Sequence, residues 1–334
     1  MLEYFESKNF LLQKGGVLPI ARLAYRTIGS LNAAKDNVVL IPSWYSGTDD
    51  DSEAVFCGEG RAINSQDHFI VFTNLLGNGR SSSPSNTPSP NDRARFAIVT
   101  YFDNVRLQHE LLTTALGIQK IKLVAGWSMG AAQAYQWAAQ YPEMVERAAP
   151  VAGSARTASY NRVFLFSMRR ALELDPAFEA GYYARPPVDG IKALATIYAG
   201  WGVSEAFYRL KAYAALGADN HEEFVKFFWE PTFLKHDAND LLAQLATWEY
   251  GDISDNSLYK KDLVAALSAI TASTIVSPVD LDRIFPPVDS VAEAEHMPNG
   301  KCVTINSIWG HMAPVEPDAQ KQIDASLSAL LAAP

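Results

Sequence analysis

The stretch from Ile121 to Trp137 limits what this chain can fold into more than any other. An apolar run, Ile121-Lys122-Leu123-Val124-Ala125, leads into Gly126-Trp127-Ser128-Met129-Gly130 and then into helix-prone Ala131-Ala132-Gln133-Ala134-Tyr135-Gln136-Trp137. A strand that turns abruptly into a helix holds the joining residue in a strained conformation, and flanking glycines remove the side chains that would collide there. A glycine-serine-glycine string recurs by chance, so the strand before it and the helix after it carry the weight. Together they predict a nucleophile elbow, with Ser128 exposed at the sheet edge, where the unpaired N–H groups of a helix start face developing negative charge.

The rest of the chain alternates in the same way. Residues 10–28 read as two strands joined at Lys14-Gly15-Gly16; Val38–Ile41, Phe69–Thr73 and Val145–Val151 are further short apolar strands, and Asn104 to Leu116 is a helix. Short apolar runs separated by helices predict a mostly parallel α/β sheet with helices on both faces. The segment Asn74 to Arg93, with its glycines and three prolines, is longer than a connection needs and is a candidate wall or lid of a site. From Ala155 to about Leu267 the pattern becomes helical and aromatic-rich, which predicts an inserted cap over residues 155–267 between core segments 1–154 and 268–334. Strands then return at Thr271–Ser277 and Cys302–Asn306, and a closing helix runs from Pro317 to Leu331.

A serine hydroxyl needs a base to take its proton, and the base needs a partner that fixes its tautomer. The loop after the strand at 271–277 offers Asp280 and Asp282, and the loop after the last strand offers His311. Of the six histidines only His311 follows a strand at the place where a base is required. Asp282 is preferred to Asp280 as the acid. The backbone N–H groups of Met129 and of a residue in the Ser43-Trp44-Tyr45 loop are the candidate oxyanion donors, with Tyr45 preferred to Trp44.

Other chemistries lack their sequence patterns. There is no dinucleotide or phosphate-loop string and no metal-spaced histidine pair, so no cofactor and no metal are expected. A formal charge of -9 argues against a nucleic-acid surface. The two cysteines form no disulfide framework, the start of the chain lacks a signal-peptide pattern, and no apolar run is long enough to span a bilayer. A cytoplasmic protein acting on a small molecule, without membrane or nucleic-acid partners, is the expectation.

The sequence resembles the homoserine O-acetyltransferase family of α/β-hydrolases. The resemblance rests on Asp103-Asn104-Val105-Arg106-Leu107-Gln108, Leu116-Gly117-Ile118, the elbow through Gln133, Tyr141-Pro142-Glu143-Met144-Val145, Phe233 to Leu242, and Asp282-Arg283-Ile284-Phe285-Pro286-Pro287. It implies the α/β-hydrolase fold, a capped tunnel to Ser128, the choice of Asp282 as acid, and acyl transfer from acetyl-CoA by a ping-pong route; members are often homodimers. The chain departs from the family at the acceptor site. Lys235 stands where the family has arginine, losing the planar fork that clamps a carboxylate, and Trp44-Tyr45 is bulkier than the usual leucine-threonine. Trp44 and Lys235 are accordingly the candidate substrate contacts. Two readings follow, with hydrolysis of a small ester favoured on those changes over O-acyl transfer to an alcohol.

Overall fold

In the computed structural model, which describes residues 1–333, short apolar runs become strands buried on both faces. The elements in order are β1 (Glu3–Leu11), β2 (Val17–Ile28), β3 (Val38–Pro42), α1 (Asp49–Phe56), β4 (Phe69–Thr73), α2 (Tyr101–Glu110), β5 (Leu123–Trp127), α3 (Met129–Gln140) and β6 (Arg147–Val151). After β6 come α4 (Ser159–Glu173), α5 (Val188–Gly202), α6 (Glu205–Arg209), α7 (His221–Phe224), α8 (Glu230–Leu234) and α9 (Ala238–Glu249). The remainder is α10 (Leu263–Ser268), β7 (Ser273–Val276), α11 (Pro287–Glu295), β8 (Gly300–Cys302) and α12 (Pro317–Ala332).

Among the described residues the strands form one eight-stranded sheet in the order β1-β2-β4-β3-β5-β6-β7-β8. Its first two pairings are antiparallel and all others parallel. β3 and β5 are buried throughout, as expected of parallel strands covered by helices on both sides. Two apolar clusters lie on opposite sides of the sheet. One joins Ile41, Phe72 and Val151 to the rings of α4 to α9, and the other joins Leu40, Val71 and Val124 to α2, α3 and α10. The run from β6 through α9 returns beside its start, where Arg156 bridges Asp252 and Ile253 N–H donates to Ala155.

Several expected boundaries move: β1 starts at Glu3 and not at residue 10, β6 starts at Arg147 and not at Val145, and β7 covers only Ser273–Val276 of the expected 271–277. The helix expected at Asn104 begins at Tyr101, because Thr100 and Asp103 exchange hydrogen bonds in a capping box. Its last turn widens into a π-turn over Leu111–Ala115 instead of continuing regularly to Leu116. The strand expected at 302–306 lies at Gly300–Cys302, and beyond it only Ile305 bridges Val279.

Candidate active site

Ser128 joins β5 to α3 with φ 59° and ψ -121°, a strained conformation for any residue with a side chain. The flanking glycines are required by close crossings. A Cβ on Gly126 would lie 2.3 Å from the Gly130 carbonyl, and one on Gly130 would lie 2.6 Å from the Pro42 carbonyl oxygen. The elbow is therefore locked between its own helix and the end of β3. Ser128 is only 2% exposed, however, where the sequence suggested an exposed position.

The acid and base loops meet because β7 and β8 are parallel neighbours whose C-terminal ends stay paired past the sheet. Ile305 N–H donates to Pro278 O, and Asp280 N–H donates to Ile305 O. His311 then lies between the two expected partners. Its Nδ1 is 2.9 Å from Asp282 Oδ2, and its Nε2 is 3.0 Å from Ser128 Oγ. With a carboxylate at Nδ1, that nitrogen carries the proton and Nε2 accepts from the serine hydroxyl. The other oxygen of Asp282 accepts from the N–H groups of Ile284 and Phe285, so the carboxylate is held on both sides. Gly310 has φ 57°, and a Cβ there would meet Ser204 N at 2.9 Å, which fixes the approach of the histidine loop.

Asp280 has a different part. Its Oδ1 accepts from Ser307 N–H at 3.0 Å, so it steadies the loop carrying His311 without touching the ring. Trp127 and Phe285 flank the imidazole, with ring centroids 5.5 and 5.4 Å away. Phe285 sits three residues past the acid, and no local pattern marked it for this place beside the base.

A cavity of about 260 Å³ opens at His311, and its wall includes that residue with Trp44, Tyr45, Trp127, Tyr198 and Phe233. The Trp44 ring packs on Trp127 with centroids 4.7 Å apart. Lys235, exposed to solvent, is also in the wall. The Tyr45 ring packs among Tyr198, Phe233 and Trp248, and burial pushes its phenol well above the usual range. Among the described residues the backbone N–H groups of Trp44, Tyr45 and Met129 find no acceptor. The segment 74–93, expected as a wall of the site, does not border this cavity; it packs on α9, where Ser85 donates to Asp240. A larger cavity of about 510 Å³, bordered by Phe96, Phe178, Leu242 and Ala246, holds none of the triad.

Residues 36–317 match the family model described as the alpha/beta hydrolase fold. The chain belongs to the α/β-hydrolase fold family. Within it, the chain is 39% identical over 327 residues to an ethyl acetate hydrolase from Pseudomonas veronii, covering 97% of this chain and 93% of that protein. It superposes on the crystal structure of an acetylester hydrolase from Corynebacterium glutamicum with a TM-score of 0.97 and 34% identity, covering 100% of this chain and 96% of that one. The homoserine O-acetyltransferase of Trichormus variabilis is more distant, at 30% identity over 321 residues, 91% of this chain and 87% of that protein. The resemblance to that family therefore reflects a wider kinship, and the esterases stand nearer.

The assembled triad makes the protein a serine-dependent enzyme acting on small esters through an acyl-enzyme. Ser128 Oγ bonds to the acyl carbon while its proton passes to His311 Nε2. The ester C–O bond then breaks, and the departing alcohol oxygen takes that proton. Water repeats the sequence against the acyl-enzyme: it gives a proton to His311, the acid leaves, and Ser128 regains its hydrogen.

Proposed function

We propose that the protein hydrolyses acetyl esters of short alcohols, with water as the acyl acceptor. The observation that carries this reading is the small cavity at His311, about 260 Å³, where Trp44, Tyr45, Trp127, Tyr198, Trp229 and Phe233 take up much of the wall and Ser46, Asp51, Thr232 and Lys235 supply its polar part. A space of that size accepts a short acyl group and a short alcohol. The similarity to an ethyl acetate hydrolase and an acetylester hydrolase supports the same reading. Met129 and Tyr45 N–H groups are the proposed oxyanion donors, supported by their lack of other acceptors. Trp44 shapes the acyl end, Lys235 stands at the outer wall, and the helical stretch 155–267 serves as a cap that keeps bulk water from the triad.

The test compares acetate release from ethyl acetate with acid release from ethyl hexanoate, each with and without homoserine. The expected result is a kcat/KM for ethyl acetate at least about 10-fold higher, unaffected by homoserine, because each surplus methylene must find room in a small cavity. O-acetylhomoserine accumulating in place of acetate would show transfer instead. Equal rates on both esters would remove the size argument.

A further inference from the structure

We propose that Gln244, on the cap helix α9, is a positioning residue that holds the oxyanion loop in its working conformation; this rests on the reading of Tyr45 N–H as an oxyanion donor. Gln244 is fully buried, and its amide is spanned by three backbone partners. Its Oε1 accepts from Ser46 N–H at 3.0 Å, while its Nε2 donates to Gly77 O at 3.2 Å and Asp240 O at 3.3 Å. One N–H facing one end and two carbonyls facing the other leave a single satisfactory orientation for the amide.

Ser46 has reason to need this hold. Its φ is 60°, in the left-handed region that residues with a Cβ rarely occupy. It sits one residue past Tyr45, in the turn closed by Gly47 N–H donating to Trp44 O at 3.0 Å. The other end of the loop is fixed by the core. Ser43 N–H donates to Thr73 O at 2.9 Å, and Ser43 O accepts from Gln133 Nε2 at 2.9 Å. The Tyr45 peptide therefore hangs between an anchor on the sheet side, Gln133 of α3, and an anchor on the cap side, Gln244 of α9. Removing the second anchor leaves a half-buried N–H unpaired and lets Ser46 relax from its strained φ, which turns the neighbouring peptide away. The cap then does more than cover the site: its docking sets the angle of an oxyanion donor.

Gln244→Met keeps the length of the side chain and removes the acceptor. Its kcat on ethyl acetate is expected to fall about 10- to 100-fold with KM within about two-fold of wild type, since a displaced donor is lost chiefly in the transition state. Trifluoroacetone, which adds to a catalytic serine and places an oxyanion in the hole, is expected to lose affinity by the same factor, whereas acetone is not. Thermal unfolding measured alongside separates this from general loosening. If Gln244→Met does not fold, Gln244→Asn, which retains an amide one methylene too short to reach Ser46, carries the same expectations. Unchanged kcat and trifluoroacetone affinity in a folded variant would overturn the inference, as would a kcat loss without the affinity loss. Failure of the underlying reading shows separately, as wild-type enzyme binding trifluoroacetone no better than acetone.

Discussion

Asp280 and Asp282 lie two positions apart on one loop, and the fold gives them unlike environments. Asp282 is buried and divides its oxygens between His311 and two backbone N–H groups; Asp280 serves the backbone of Ser307. An amide at 282 can still accept, but its other end presents N–H to the imidazole and favours the wrong tautomer. Asp282→Asn is therefore expected to lower kcat by about 10³- to 10⁴-fold, the scale seen for such substitutions in serine triads. Asp280→Asn keeps an acceptor for Ser307 and is expected to lose no more than about 10-fold. Steady-state kinetics on ethyl acetate rank the two, and the opposite order would reassign the acid. At this scale the identity of Asp282 came from resemblance to a motif, because two aspartates on a loop are indistinguishable until the partners of each oxygen are known.

At the scale of elements, the first residues after β6 are tied to α11 by a buried carboxyl. Glu293 Oε1 accepts from Ala155 N–H at 2.8 Å, and burial pushes this carboxyl up from 4.5 to about 8, against the lowering effect of the Tyr135 hydroxyl. Burial likewise raises Asp240, on α9, to about 7. In both, the folded chain holds a proton that the unfolded chain releases at lower pH, so their stabilising contribution is complete below about pH 4 and is lost as pH rises towards 7 to 8. The melting temperature is thus expected to fall by several degrees, roughly, between pH 5 and pH 8, and Glu293→Gln is expected to flatten much of that slope. Calorimetry at a series of pH values measures it, and an unchanged slope in the variant would show that Glu293 is ionised in the fold. Nothing in the local sequence around Glu293 marks it, since one more acid on an amphipathic helix reads as solvated. The segment 74–93 is hard to place for a related reason: its length signals a special role, but its partners, Asp240 of α9 and the loop at Ser43 and Gly47, are distant in sequence.

Across the whole molecule, the sheet and helices α4 to α9 share one continuous apolar layer, in which Trp248 of α9 stacks on Phe285 at 5.4 Å and Phe285 packs on His311 at the same distance. Large rings supply the area a small helical layer needs to stay docked. Trp248→Ala opens a cavity at this junction and is expected to cost about 3 to 5 kcal/mol in urea unfolding. It is also expected to reduce kcat, because the wall that supports the histidine loses its backing. Stability lost with kcat intact would mean that docking of these helices and alignment of the triad are independent.

The sequence by itself determined the alternation of buried strands and helices, the elbow at Ser128 and the order nucleophile, acid, base. Each of these is local: a strand buried on both faces must be apolar along its length, and a strained turn must have glycines beside it. Only the tertiary structure decided that Ser128 is buried, that Asp282 and not Asp280 meets His311, and that Gln244 reaches the backbone of Ser46. Those facts depend on where side chains from distant segments converge, and the geometry of convergence leaves no periodic trace in the chain that folds to produce it.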